Sequence, residues 1–114
     1  MIRLKGTLNT LDVVLDESAG TELDVVCSFG NIKFTAAELT DLDSTAQKSV
    51  GTTPLVIAGP AASSTETIGV EGISIYNADS IAHTVKVSLN DTINSFVIKS
   101  QALQPGDSLL YSNG

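Results

Sequence analysis

The chain contains 114 residues, of which 13 are acidic and 6 are basic, so its net charge is −7 at pH 7. This length suits one domain, and an apolar share of 42% without any tryptophan predicts a small aliphatic core instead of a disordered chain. The acidic balance argues against a nucleic-acid partner, because proteins bind phosphates largely through Lys and Arg.

The beginning of the chain has the pattern of short strands separated by polar loops. Residues 2–15 contain two segments with alternating apolar residues, which meet at Gly6. A third strand is predicted over LDVVCSF, where Cys27, the only cysteine, is in phase with its apolar neighbours and is expected to be buried. Gly30 and Asn31 suit a type II′ turn, so we expect a hairpin at that point.

One short helix is predicted after this hairpin. Thr35 and Glu38 have the spacing of a capping box, in which each side chain satisfies a backbone donor at the start of a helix. Leu39 and Leu42, three residues apart, would then both face the core, and a polar loop is the alternative. Residues 43–53 are polar and lack any period, which predicts a loop or an exposed arm.

Residues 67–111 have the pattern of three or four consecutive strands. Their apolar alternation changes phase at Gly72, where a β-bulge would keep both sets of apolar side chains facing inward. Pro105 and Gly106 suit a type II turn before the last strand. About eight short strands with at most one short helix predict an all-β fold, a β-sandwich of the jelly-roll or Ig-like type. We expect a single β-sandwich domain over 1–114, with N-terminal strands and an arm in 1–50 and the core strands in 51–114.

The strand predicted at INSFVIKS is apolar on both faces. A strand in a sandwich buries one face against the other sheet, so a second apolar face needs a neighbouring sheet or a neighbouring subunit. The candidate interface residues are Ile93, Phe96 and Ile98.

Few residues have side chains and spacings that suit catalysis or metal binding. His83 is the only histidine, so no catalytic pair can be built around another imidazole, and its phase within a predicted strand favours a structural role. Asp41, Asp43 and Asp91 are predicted loop carboxylates without EF-hand spacing, and a weak calcium site is the alternative to solvated side chains. Neither GxGxxG nor GxxxxGK[ST] occurs. We therefore expect no enzyme, no cofactor and no metal site.

The start of the chain, MIRLKGTLNT, lacks the apolar run and the cleavage site of a signal peptide. No segment approaches the length of a transmembrane helix. We therefore expect neither secretion nor a membrane partner.

The runs ISIYNADSIAHTVKVSLND and LQPGDSLLYSNG, within residues 68–114, resemble the small β-sandwich modules of tailed-bacteriophage virion proteins. In these modules a strand ending in Asn leads through a polar loop to a strand of the TVKVSL kind, and a PG-D turn introduces the last strand. The resemblance implies a structural role in the virion. Such modules occur in head decoration (cement) proteins, in neck and tail components and in fibre-attached domains.

The decoration-protein alternative implies specific partners. Such a protein would act as a homotrimer on the outer capsid surface, bound to the major capsid protein and assembled in the host cytoplasm. By this analogy, the N-terminal strand or the arm at 43–53 would pair with an edge strand of the capsid protein. A carbohydrate-binding module on a tail fibre would share the sandwich fold, but its sugar-stacking site generally uses an exposed Trp or Tyr.

Overall fold

The computed structural model describes residues 1–32 and 39–112, and every regular element in these ranges is a β-strand. The prediction of an all-β fold is confirmed. The nine strands are β1 (Ile2–Lys5), β2 (Thr10–Leu15), β3 (Asp24–Ile32), β4 (Leu39–Lys48), β5 (Leu55–Ala58), β6 (Thr67–Tyr76), β7 (His83–Asn90), β8 (Ser95–Leu103) and β9 (Ser108–Ser112). No helix in the described ranges is long and apolar enough to span a membrane.

The strands form two antiparallel sheets that pack as a β-sandwich. One sheet has the order β1-β6-β3-β4, and β9 joins it beside β1 on the same edge of β6. The other sheet has the order β5-β2-β7-β8. Strands of both halves of the chain occupy inner positions, since β2 and β3 pair with β7 and β6. The two halves therefore build one shared core.

Alternating side chains of the inner strands fill the space between the sheets. Leu11, Val13 and Leu15 of β2 are buried, as their spacing predicts. The opposite sheet contributes Val25 and Cys27 of β3. Burial of each Leu or Val side chain contributes roughly 1.5–3 kcal/mol to folding. The core is thus aliphatic, and Cys27 acts in it as a small apolar residue.

The bulge predicted at Gly72 is confirmed. Ser28 pairs with Gly72 and Phe29 with Val70, so Glu71 is the extra residue on β6. The apolar side chains on both sides of this point are buried, because the extra residue restores their phase. The turn predicted at Pro105 is also present.

In that turn, the backbone N–H of Asp107 donates to the carbonyl oxygen of Gln104 at 2.9 Å. Gly106 has a φ of 86°, the left-handed conformation that the third residue of a type II turn requires. Turn chemistry that depends on two adjacent residues was therefore predictable from the sequence.

The hairpin predicted at Gly30 and Asn31 is wrong, because β3 continues through both residues to Ile32. β3 and β4 lie very close together at Gly30, so this position needs glycine for strand packing and not for a turn. A Cβ atom at this position would lie 2.7 Å from the carbonyl oxygen of Thr40 in β4.

The helix and the arm predicted after β3 also need correction. The predicted helix start, Thr35 to Glu38, lies outside the described residues. Leu39 and Leu42 belong to β4, and so does the first part of 43–53. After Lys48, the bridge between Val50 and Thr53 closes a turn. β4 gave no strand signal because most of its side chains are exposed on both faces, and only its pairing with β3 makes it a strand.

Candidate functional site

The candidate interface residues lie on β8 and in the turn before it. β8 forms the outer edge of its sheet and pairs only with β7 among the described strands. The strand has nine residues, and its second edge presents backbone N–H and C=O groups that no described strand pairs with. Such an edge can accept an added strand from another protein.

Four large apolar side chains in this region are exposed to solvent. Ile93 is 86% exposed, Phe96 54%, Val97 55% and Ile98 44%. We call these four residues the β8 surface. The other sheet of the sandwich therefore does not cover these side chains. A neighbouring sheet was one of the two contacts that the sequence led us to expect for them. Ile93 itself precedes the strand and lies in the turn that joins β7 to β8.

β8 contains a bulge at Ile98. Val87 pairs with Lys99 and Ser88 with Val97, so Ile98 is the extra residue. Phe96 pairs with Leu89, which packs against the core. Since cross-strand partners share a face, Phe96 points toward the other sheet at its open margin, and Ile98 lies beside Val87 in the cleft there.

An apolar cleft of about 350 Å³ opens between β8 and β9. Val87 and Ile98 line one side, and Leu109 and Tyr111 line the other. The cleft exists because β8 and β9 belong to different sheets, so no backbone ladder closes the sandwich on this side. Leu110, which is also exposed, extends the apolar surface onto β9. The β8 surface is therefore the rim of a larger apolar region.

Three other edge strands, β1, β4 and β5, are protected in the ways that natural proteins use, and β9, which pairs only with β6 among the described strands, has just five residues. β1 and β5 have only four residues each, and β1 carries Arg3 and Lys5. β4 carries Asp41, whose φ of 52° breaks its regularity, together with Asp43. β8 has no acidic residue, and Lys99 is its only charged side chain. Among the described strands, β8 is the longest edge without an acidic residue.

A buried polar network lies at the other end of β7 and β8. His83, at the start of β7, is 1% exposed, and its Nε2 lies 2.7 Å from Oδ2 of Asp79. Asp79 also accepts hydrogen bonds from the backbone N–H groups of Gly20, Thr21 and Ser80. The network therefore ties the β2–β3 loop to the β6–β7 loop.

The network shifts the protonation of both partners. The hydrogen bond from His83, together with the weaker effect of the backbone donors, lowers the pKa of Asp79 to about 2, although burial opposes this. Burial, the largest single influence, lowers the pKa of His83, but hydrogen bonds to Asp79 and Asp16 and the charges of both carboxylates raise it overall. The sequence placed His83 in a strand but could not identify Asp16, which is 67 positions away.

The remaining residues considered for chemistry do not converge. Asp41 and Asp43 lie in β4, whereas Asp91 lies in the β7–β8 turn of the other sheet. The carboxylate of Asp91 accepts the backbone N–H groups of Ile93 and Asn94, which explains its presence in that turn. Burial raises the pKa of the Cys27 thiol to about 11, so the reactive thiolate is scarce at neutral pH.

No protein-family model matches the sequence, and comparison with curated proteins and with solved structures finds no significant match. The bases for a functional proposal are therefore the β8 surface, the buried network and the resemblance of residues 68–114 to virion modules.

Proposed function

We propose that the protein is a structural component of a tailed-phage virion, a head decoration protein that assembles through its β8 surface. The observation that supports this proposal is a long edge strand that has no acidic residue and exposes Phe96, Val97 and Ile98. Clustered apolar side chains on a protein surface mark sites of protein–protein contact. The alternative is a neck, tail or fibre module that uses the same surface at another position in the virion.

The charge of the chain favours self-association through strands that lack acidic residues, of which β8 is the longest edge among the described strands. Each copy carries a net charge of −7, so two copies repel one another. Contact through β8 brings no acidic side chain of either strand into the interface. Burial of Phe96 or Ile98 there would contribute roughly 1.5–3 kcal/mol per side chain. In the trimer that the resemblance implies, each such contact occurs three times.

The contact with the major capsid protein needs a surface other than β8. The N-terminal strand is a short edge with two basic side chains, and only the first part of the segment expected as an arm belongs to β4. We assign the capsid contact to the exposed acidic side chains of β4, without strand addition, because the φ of Asp41 interrupts that edge. Asp41 and Asp43 suit a basic surface of the partner.

Phe96→Asp tests the self-association, measured by sedimentation velocity. We expect wild-type protein to form a trimer and the variant to be monomeric, because an unpaired carboxylate would be buried at the interface. Val56→Asp is the matched control, since Val56 is comparably exposed but lies on β5. A wild-type protein that stays monomeric at about 100 μM contradicts the proposal, as does a control that dissociates like Phe96→Asp.

Co-sedimentation with emptied phage capsids tests the location in the virion. We expect the wild-type trimer to bind capsids and a double variant, Asp41→Lys with Asp43→Lys, to bind them less. Purified tails and a glycan panel serve as the competing partners. Binding to tails or glycans but not to capsids would support the neck, tail or fibre alternative instead.

A further inference from the structure

We propose that Asp16, Glu17 and His83 form a binding site for a divalent transition-metal ion, with Zn²⁺ as the best-suited ion. One ligand atom from each residue lies within 4.8 Å of the other two. The sequence pattern did not suggest this site, because Asp16 and Glu17 lie in a loop far along the chain from His83. Three protein ligands would leave one coordination position for water.

The separation between His83 and Asp16 is long for a hydrogen bond and also suits two ligands of one ion. Nδ1 of His83 lies 3.4 Å from Oδ1 of Asp16, whereas its Nε2 lies 2.7 Å from Asp79. Hydrogen bonds from N–H to oxygen are usually about 2.7–3.2 Å long. Two ligands at about 2.0–2.1 Å from a tetrahedral Zn²⁺ are roughly 3.3–3.4 Å apart. The distance between the buried Nδ1 of His83 and Oδ1 of Asp16 is therefore the one expected between two ligands of a single Zn²⁺ ion.

Asp79 orients the imidazole for this role. Its carboxylate accepts three backbone N–H groups, those of Gly20, Thr21 and Ser80, so it remains an acceptor for the N–H of Nε2. In the neutral imidazole the free electron pair is then on Nδ1, the nitrogen that faces Asp16. A carboxylate behind a histidine is the common arrangement at zinc sites, where it fixes the ring and its tautomer.

The backbone holds Asp16 beside the start of β7 before any ion binds. Leu15, the last residue of β2, pairs with Val85 of β7. The backbone N–H of Asp16 donates to the carbonyl oxygen of Thr84 at 3.1 Å. Asp16 and Glu17 are exposed while His83 is buried, so an ion can enter from solvent and keep a water ligand. One nitrogen with two carboxylates favours Zn²⁺ over Ca²⁺ or Mg²⁺, which prefer oxygen ligands alone.

The single histidine allows a direct test by NMR. Chelator-treated, ¹⁵N-labelled protein at pH 8 is titrated with ZnCl₂, and the imidazole nitrogens are followed in long-range ¹H–¹⁵N spectra. We expect Nδ1 to shift to the position of a metal-bound nitrogen at one equivalent, while Nε2 keeps its proton. Calorimetric scans should show the melting temperature rising by about 10 °C at a hundredfold excess of Zn²⁺ over Kd.

Two variants separate this site from adventitious binding. Glu17→Gln and Asp16→Asn each remove an exposed carboxylate, and each should weaken Zn²⁺ binding at least about tenfold. Glu71→Gln, an exposed carboxylate in the other sheet, is the control and should bind like wild type. Imidazole resonances that do not respond to Zn²⁺ would overturn the proposal. Equal affinity in all three variants would overturn it as well.

Discussion

His83 and Asp79 form a buried polar pair beside a core that is otherwise aliphatic. Both residues are buried, and the network of backbone donors around Asp79 stabilises its ionised form. The histidine therefore has a higher pKa in the folded protein than in the unfolded chain, and Asp79 has a lower one. This pair makes the stability of the fold depend on pH at both ends of the ordinary range.

We expect stability to be greatest between about pH 4 and pH 6.5. The contribution of His83 is complete below its ordinary pKa of 6.5 and disappears as the pH rises through its higher folded pKa. The contribution of Asp79 is complete above its ordinary value of 3.8 and disappears as the pH falls toward 2. Urea denaturation with chelator, from pH 2 to pH 9, measures both effects. His83→Gln is the informative variant: it should lose the decline above pH 6.5 and also show a smaller decline below pH 4, because the hydrogen bond from His83 is the main cause of the low pKa of Asp79. A wild-type stability that rises from pH 6 to pH 9 would contradict the expectation.

At the scale of single elements, β3 and β6 of the same sheet differ in how strictly they need glycine. A Cβ atom on Gly30 would lie 2.7 Å from the carbonyl oxygen of Thr40, so β3 and β4 approach closely there. A Cβ atom on Gly72 would meet the carbonyl oxygen of Tyr111 only at 3.4 Å. Gly72 also has no positive φ, so the bulge in β6 does not require a glycine. Gly72, which the sequence pattern associated with the bulge, should therefore be easier to replace than Gly30.

Gly30→Ala should destabilise the protein by about 1–3 kcal/mol, because the added methyl group forces β3 and β4 apart. Gly72→Ala is the matched control in the neighbouring strand and should change stability by less than about 1 kcal/mol. Chemical denaturation monitored by circular dichroism measures both. Equal losses of stability in the two variants would contradict the prediction that the close approach of β3 and β4 requires glycine at position 30.

At the scale of the whole molecule, charge repulsion and apolar burial would act in opposite directions on the proposed self-association. Each copy carries a net charge of −7, which resists assembly, while apolar burial at β8 favours it. Salt screens the repulsion between exposed charges and leaves apolar contacts intact. The proposed trimer should therefore be weaker in dilute buffer than at physiological ionic strength.

We expect the trimer to tighten when NaCl is raised from about 0.02 to 0.3 M, since the Debye length falls several-fold over this range. Sedimentation equilibrium at a series of salt concentrations measures the association constant directly. Phe96→Asp should stay monomeric across the series, which serves as the control for non-specific salting-out. An association that weakens with salt would mean that ion pairs, and not the β8 surface, hold the copies together.

The sequence by itself was sufficient for features that depend on neighbouring residues. Apolar alternation identified β2, β6 and β7, a phase change located the bulge at Gly72, and adjacent Pro105 and Gly106 specified a type II turn. These signals are local because a strand exposes alternate side chains and a turn needs particular φ values. The two-faced apolar pattern also singled out Ile93, Phe96 and Ile98, which the structure shows exposed.

Only the tertiary structure decided what depends on distant partners. β4 is polar on both faces and is a strand because β3 supplies its hydrogen bonds. β8 is an unprotected edge because of its place in the sheet order, which side-chain alternation does not encode. His83 meets Asp16 across 67 positions because β2 pairs with β7. Side-chain patterns record which face of a strand is buried, whereas neighbours across a sheet are set by the packing of the whole chain.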